Sequence, residues 1–94
     1  MAVLKREKKT DYAALSSSFM RIPQMKVDVA RCLLDIGLTQ VYQLEGRAPD
    51  SLLAEIKARK DNVREDVIAY LRMAVYFAEN QPPDVRKLYP TEWM

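Results

Sequence analysis

An almost uninterrupted apolar stretch near the end of the sequence constrains the fold most. Between Val67 and Ala78, Arg72 is the only residue that is not apolar, and Glu65, Arg72 and Glu79 lie seven residues apart. In an α-helix this spacing leaves one narrow polar line on a cylinder that is otherwise apolar. We therefore expect this segment to lie at the centre of the molecule, nearly surrounded by the rest of the chain.

The boundaries of this long helix follow from its flanking residues. Asn62 and Glu65 are spaced as a capping box, which predicts a helix over Val63–Glu79. Prolines at positions 82 and 83 prevent the helix from continuing.

Composition extends the prediction to the whole chain. Two glycines and five prolines in 94 residues leave few tight turns, which disfavours a β-sandwich or barrel. At this length we expect one domain over residues 11–94, an all-α compact bundle of about five short helices around the long C-terminal helix. No apolar run approaches the ~20 residues that span a bilayer, and residues 1–9 lack the apolar core of a secretory signal. We expect a cytoplasmic protein that does not bind membranes.

The shorter elements are predicted from apolar spacing and from helix-ending residues. A first helix starts at Thr10 or Asp11 and is stopped by Pro23, and a second starts at Gln24 or Met25 and ends at Gly37. One turn follows with Thr39 as its N-cap and Leu44 turned inward, then a helix from Pro49, a turn over residues 84–88, and a lid formed by Tyr89, Pro90 and Trp93.

Catalytic chemistry is strongly limited by the absence of histidine and the presence of a single cysteine. The chain cannot build a Ser-His-Asp triad, a Cys-His pair, a zinc finger or an internal disulfide. None of its thirteen acidic residues is singled out by its spacing. We therefore predict no enzyme activity, no cofactor and no small-molecule substrate, and we interpret Cys32 as a small core residue.

The formal charge of +2 is unevenly distributed. Residues 1–10 carry four basic residues and one acidic residue, whereas the remaining chain carries eleven basic and twelve acidic residues. We predict a flexible basic segment over residues 1–10 and a nearly neutral domain. Such a segment either adds sequence-independent attraction to nucleic acid or serves only as a solubilising tail.

The most informative segment runs from Phe19 to Leu38. It contains Ile-Pro followed by a tight turn, a helix closed by Leu-x-x-x-Gly-Leu, and a short Thr-x-x-x-x-Leu turn, and it continues into Gln-Leu-Glu-Gly at position 43 and Ala-Pro-Asp-Ser-Leu-Leu at position 48. Together with Arg-Met-Ala-Val-Tyr-Phe-Ala at position 72, this order resembles the small bacterial pathogenicity-locus family of helix-hairpin-helix-like proteins, often labelled mitomycin-resistance proteins. The resemblance covers roughly residues 15–80.

The resemblance implies a fold of helix-hairpin-helix or sterile-alpha-motif type and binding to the DNA backbone. In that motif a glycine-containing turn brings backbone N–H groups and a helix N-terminus close to a phosphate. The residues expected to contact nucleic acid are Arg21, Gln24, Met25, Lys26 and Arg31 at the hairpin, and Lys5, Arg6, Lys8 and Lys9 in the basic segment.

This hairpin departs from the motif at both glycine positions. They are occupied by Gln24 and Lys26, and Asp28 follows at the start of the next helix, where a carboxylate opposes phosphate binding. Arg31 is also spaced to form ion pairs with Asp28 and Asp35 on its own helix.

The alternative function is protein–protein interaction, in which the hairpin is only structural. Tyr89 and Trp93 would then form a docking patch for a protein partner or for self-association. A second basic cluster, Lys57, Arg59, Lys60 and Arg64, is either a second phosphate contact or a mixed solvated surface, because acidic residues alternate with it. We interpret Tyr70, Tyr76 and Phe77 as core and not as a platform for stacked bases.

Overall fold

The structure is a computed structural model that describes residues 11–94, so the predicted flexible segment of residues 1–10 lies outside the described residues. The α-helices are α1 (Tyr12–Leu15), α2 (Val27–Asp35), α3 (Pro49–Lys57) and α4 (Val67–Glu79), joined by 3-10 turns at Ser18–Arg21, Val41–Leu44, Val85–Lys87 and Pro90–Trp93. Residues 11–94 contain no β-strand, which confirms the all-α prediction. None of these helices has the length and apolar character required to cross a membrane.

Helix α4 forms the centre of the bundle, as its sequence predicts. It packs against α3, the turn at Val41–Leu44 and the turn at Pro90–Trp93. Leu71, Met73 and Ala74 are fully buried on it. Two members of its polar line bind the backbone of other segments: Arg72 Nη1 donates to the Trp93 carbonyl at 2.7 Å, and Glu79 Oε2 accepts from the Gly46 N–H at 2.7 Å.

The predicted start of α4 at Val63 was wrong. The helix begins at Val67, and its N-cap, Asp66, makes no side-chain capping bond. The segment before it is instead held against α2 by two ion pairs, Lys60 with Asp35 at 3.7 Å and Arg64 with Asp28 at 2.8 Å. These long-range pairs favour a loop where the local sequence favours a capping box.

Helix α2 ends where the sequence predicts. Gly37 has φ +93°, its N–H donates to the Leu34 carbonyl, and the Leu38 N–H donates to the Leu33 carbonyl. This pair of hydrogen bonds is a Schellman motif, which requires the left-handed conformation that glycine adopts at little cost. Helix α2 begins at Val27, later than predicted, because Gln24 has a left-handed backbone and Lys26 an extended one, and neither can be part of a helix.

Two further boundaries differ from the prediction. Helix α1 stops at Leu15 because the hydroxyl groups of Ser16 and Ser17 donate to carbonyl groups of the preceding turn, and a 3-10 turn follows. The turn at Val41–Leu44 is capped by Gln40 and not by Thr39. The side-chain oxygen of Gln43 reaches back from within the turn and accepts the N–H groups of both residues at 2.8 Å.

Candidate nucleic-acid interface

The hairpin turn of residues 22–25 has the backbone of a glycine-containing turn although it contains no glycine. Gln24 has φ +68°, and the Met25 N–H donates to the Ile22 carbonyl at 3.1 Å. With Pro23 in the second position, these are the features of a type II β-turn, in which the third residue needs a positive φ. The chain therefore forms this turn with glutamine at the position that glycine usually occupies.

Buried side chains on either side hold this turn in place. Phe19 and Ile22 are essentially inaccessible to solvent, and Met25 is only 7% exposed. The Met25 side chain, predicted to belong to the interface, therefore packs into the core. Its contribution to the hairpin is structural, through that packing and through its N–H in the turn.

The remaining predicted hairpin residues lie on the surface around the start of α2. Arg21, Gln24 and Lys26 are exposed, and neither Arg21 nor Lys26 forms an ion pair with any of residues 11–94. Lys26 is the N-cap of α2 and provides no side-chain acceptor for the N–H groups of the first turn. A helix start with uncapped N–H groups and free cations beside it favours an anion.

Asp28 is the residue that opposes anion binding, and the structure gives it a partner from another part of the chain. Arg64 Nη1 lies 2.8 Å from Asp28 Oδ2, and Arg64 Nε donates to Asp66 Oδ1 at 3.0 Å. The guanidinium also lies over the Tyr70 ring at 5.8 Å from its centroid. The carboxylate at the start of α2 is thus paired with a cation, but that cation is itself shared between two carboxylates.

Arg31 lies away from the turn in an ion-pair cluster. Its Nε and Nη2 donate to the two carboxylate oxygens of Asp11 at 2.7 Å, and Nη1 donates to Asp35 at 3.2 Å. The expected pairing with Asp35 is present, whereas Asp28 pairs with Arg64 instead. The structure therefore gives Arg31 a role in joining α2 to the residue that caps α1.

This cluster changes the acidity of its members. The Arg31 guanidinium, together with the Ala14 N–H, lowers the pKa of Asp11 to about 2. The same carboxylate, followed by Asp35, raises the pKa of Arg31. Both groups are therefore charged at neutral pH.

The structure divides the second basic cluster into two pairs. Lys60 and Arg64 are bound to acidic residues of α2, whereas Lys57 and Arg59 are exposed and form no ion pair within residues 11–94. Lys60 and Arg64 therefore belong to a mixed surface of basic and acidic residues, which was one of the two alternatives predicted for this cluster.

Cys32 and the acidic residues provide no additional site in the described part of the chain. Cys32 is 6% exposed, and burial raises the pKa of its thiol, which opposes formation of the reactive thiolate. Residues 11–94 contain no group of three or more metal-ligating side chains of the His, Cys, Asp and Glu types.

The aromatic residues of α4 belong to the core, as expected. Tyr70 is buried, and Tyr76 and Phe77 pack partly buried against the hydrophobic cluster. Trp93 folds back onto α4, with its ring 5.3 Å from that of Tyr76, whereas Tyr89 is 52% exposed. Of the two residues of the predicted docking patch, only Tyr89 is thus largely open to solvent.

Local sequence patterns did not predict two ion pairs of the site, that of Asp11 with Arg31 and that of Arg64 with Asp28. Each pair spans many residues of sequence, 20 for Asp11 and 36 for Arg64. Periodicity identifies partners within one helix, so it carries no signal for such pairs. The basic residues Lys5, Arg6, Lys8 and Lys9 lie outside the described residues.

Comparison with protein-family models, with curated protein sequences and with solved structures finds no match for this chain.

Proposed function

We propose that this chain is a non-catalytic binding module of helix-hairpin-helix type that contacts the sugar–phosphate backbone of DNA without reading its sequence. The observation that carries the proposal is the positive φ of Gln24, +68°, in the turn that leads into α2. This geometry brings the backbone around the helix start to the surface, which is how a hairpin of this type approaches a phosphate.

The distribution of charge at the turn supports the proposal. Arg21 and Lys26 flank the turn, are exposed and have no ion-pair partner among residues 11–94. Asp28 would repel a phosphate if it were isolated, but Arg64 lies against it at 2.8 Å. Arg21, Lys26 and the uncapped N–H groups therefore favour an anion at the turn, and Arg64 reduces the repulsion from Asp28.

The proposed binding is weak and strongly dependent on salt. Residues 11–94 carry one more acidic than basic residue, so long-range attraction from the domain itself is small. Lys5, Arg6, Lys8 and Lys9 supply additional phosphate contacts in the proposal, each of which releases condensed counterions. Affinity for duplex DNA is then expected to fall steeply between about 50 and 200 mM salt.

Fluorescence anisotropy with labelled duplex DNA at two salt concentrations tests the proposal. The full chain is compared with a variant in which the four basic residues of positions 5–9 are replaced by glutamine, so that binding by the segment is separated from binding by the domain. Within that neutralised background, Lys26→Glu is expected to reduce affinity about tenfold or more, because it reverses a charge beside the bound phosphate. A matched control is Lys57→Glu, which reverses the charge of another exposed lysine without an ion pair in the described residues.

The outcomes discriminate between the possibilities. A loss confined to Lys26→Glu supports the hairpin, whereas equal losses in both variants indicate only general electrostatic attraction. If the neutralised variant does not bind at low salt, the hairpin is structural and the DNA proposal is wrong.

The second candidate function is protein interaction through the C-terminal region. Val85, Tyr89 and Met94 are 71%, 52% and 78% exposed, which places three large apolar side chains within ten residues on the surface. Self-association through this surface is tested by comparing the sedimentation of the full chain with that of a Val85→Ser/Tyr89→Ser variant. If the surface binds a second copy, the full chain associates and the double variant does not.

A further inference from the structure

Arg64 lies beside the hairpin although it belongs to the loop before α4. Its Nη1 lies 2.8 Å from Asp28 Oδ2, and Asp28 is in the first turn of α2, two residues after Lys26. The loop before α4 therefore places a cation at the surface where the hairpin is proposed to meet DNA.

Three contacts fix the position of the Arg64 guanidinium. Besides its ion pair with Asp28, its Nε donates to Asp66 Oδ1 at 3.0 Å. Its Cζ lies over the Tyr70 ring, 5.8 Å from the centroid, and Tyr70 is only 7% exposed. A guanidinium held in this way loses less conformational entropy on binding a ligand than a mobile surface side chain does.

Arg64 also has hydrogen-bonding capacity that the rest of the described chain does not use. A guanidinium carries five N–H donors in a planar fork that matches the oxygens of a phosphate. Nη2 of Arg64 makes no hydrogen bond within residues 11–94, and the side chain is 47% exposed. In contrast, all three guanidinium nitrogens of Arg31 donate to Asp11 or Asp35. Of the two arginines that form ion pairs with acidic residues at α2, Arg64 is thus the one with a donor left for an external anion.

We propose that Arg64 is a phosphate-binding residue of the hairpin and that Asp28 competes with DNA for it. The inference rests on the proposed DNA function and adds a residue from a distant part of the chain to the binding surface. A phosphate that approaches Lys26 replaces the Asp28 carboxylate on Nη1 and accepts from Nη2. Asp66 and Tyr70 keep the guanidinium in place during this exchange. Because the Asp28 side chain is already 56% exposed, water hydrates the displaced carboxylate at little cost.

Substitution of Arg64 in a chain that lacks the Asp28 carboxylate tests this role. The full chain carries Asp28→Asn together with glutamine at the four basic positions of residues 5–9, so Arg64 has no charge at position 28 to neutralise. Arg64→Gln should then weaken binding to duplex DNA about tenfold and reduce the slope of log affinity against log salt by about 0.9, the value for one phosphate contact. Fluorescence anisotropy at several salt concentrations measures both quantities. The matched control is Arg59→Gln, which removes the same charge from an exposed arginine without an ion pair in residues 11–94 and should change affinity less than about twofold.

Side-chain NMR gives a second readout that needs no substitution of Arg64. In the chain with native Asp28 and the neutralised basic segment, the Arg64 Nε–H signal should shift when duplex DNA is added. The Arg31 Nε–H signal should stay in place, because that group is bound to Asp11. Circular dichroism checks the folding of Arg64→Gln, and the Nε–H signals decide if that variant does not fold.

The outcomes separate this inference from the function on which it rests. If Arg64 only masks Asp28, Arg64→Gln will weaken binding no more than Arg59→Gln does. That result, or an Arg64 Nε–H signal that does not shift while DNA binds, overturns the inference and leaves binding by the hairpin intact. Absence of DNA binding before either arginine is replaced overturns both the inference and the DNA function.

Discussion

The hairpin turn and the C-terminal residues 90–94, here named the strap, are two surface features of one small bundle that use polar groups in opposite ways. At the hairpin, Arg21 and Lys26 are exposed without an ion-pair partner in residues 11–94, and the first turn of α2 has no side-chain cap. At the strap, the guanidinium of Arg72 and the indole N–H of Trp93 are both bound within the chain. Polar groups left open at the hairpin suit an external anion, whereas the strap forms an interface that is already complete.

The largest expected effect is on the free energy of unfolding, when one aromatic residue from each region is replaced by alanine. Phe19→Ala, beneath the hairpin, should lower the free energy of unfolding by about 3–5 kcal/mol, because a fully buried ring leaves a cavity. Trp93→Ala, in the strap, should lower it by only about 1–2 kcal/mol, because the ring is partly exposed. Urea unfolding followed by circular dichroism measures both, with Tyr12→Ala at an exposed position as the control. Equal losses would remove the distinction between a core-anchored hairpin and a peripheral strap.

A second prediction concerns the charge that opposes DNA at the hairpin. Asp28→Asn should raise affinity for duplex DNA about three- to tenfold, because it removes a carboxylate from the helix start and frees one side of Arg64. The measurement is anisotropy in the background with the basic segment neutralised. The control is Asp61→Asn, which changes the net charge by the same amount. Asp61 is exposed and forms no ion pair among residues 11–94, so its replacement should have little effect on affinity. A similar gain from both substitutions would mean that only net charge matters.

Replacement of the residue with positive φ is expected to have a smaller effect. Gln24→Gly should raise the free energy of unfolding by about 0.5–1 kcal/mol, because relief of left-handed strain exceeds the entropy that glycine adds to the unfolded chain. Gly37→Ala supplies the opposite control: at φ +93° it should destabilise by about 1 kcal/mol. Chemical denaturation of both variants checks the signs. A loss of stability in Gln24→Gly would indicate that the glutamine side chain itself holds the turn.

The smallest effect is a dependence on pH at the cluster that joins α1 to α2. The pKa of Asp11 is lowered from 3.8 to about 2 in the folded protein. Its contribution to stability is therefore present above pH 3.8 and is lost as the pH falls towards 2. Unfolding measured from pH 5 to pH 2 should show a smaller loss for Asp11→Asn than for the unmodified chain. Parallel curves would show that the ion pair with Arg31 adds nothing to stability.

The sequence predicted most elements but misplaced several of their starts. Glycine at position 37 and proline at position 49 act through their own backbones, so they located the end of α2 and the start of α3 correctly. The start of α4 depends on ion pairs between the preceding loop and α2, and no local pattern encodes them. A capping box was therefore predicted where the chain forms a loop.

At the candidate site, too, local sequence patterns did not encode contacts between distant parts of the chain. The turn was located from Ile-Pro, and the side chains at its two glycine positions were expected to oppose phosphate binding. The fold nevertheless imposes a positive φ on Gln24, because Ile22 and Met25 are buried on either side of it. Burial of Met25 and the capture of Arg31 by Asp11 could not be predicted, since both depend on tertiary packing.

The most direct test of the central claim is a titration of the full chain, with the basic segment neutralised, with duplex DNA followed by backbone amide NMR. We predict that the largest shifts will be confined to the amides of residues 24–29, where the turn enters α2. No shift at these amides, or shifts centred on residues 57–59 or 85–94, would contradict the claim that the hairpin binds the DNA backbone.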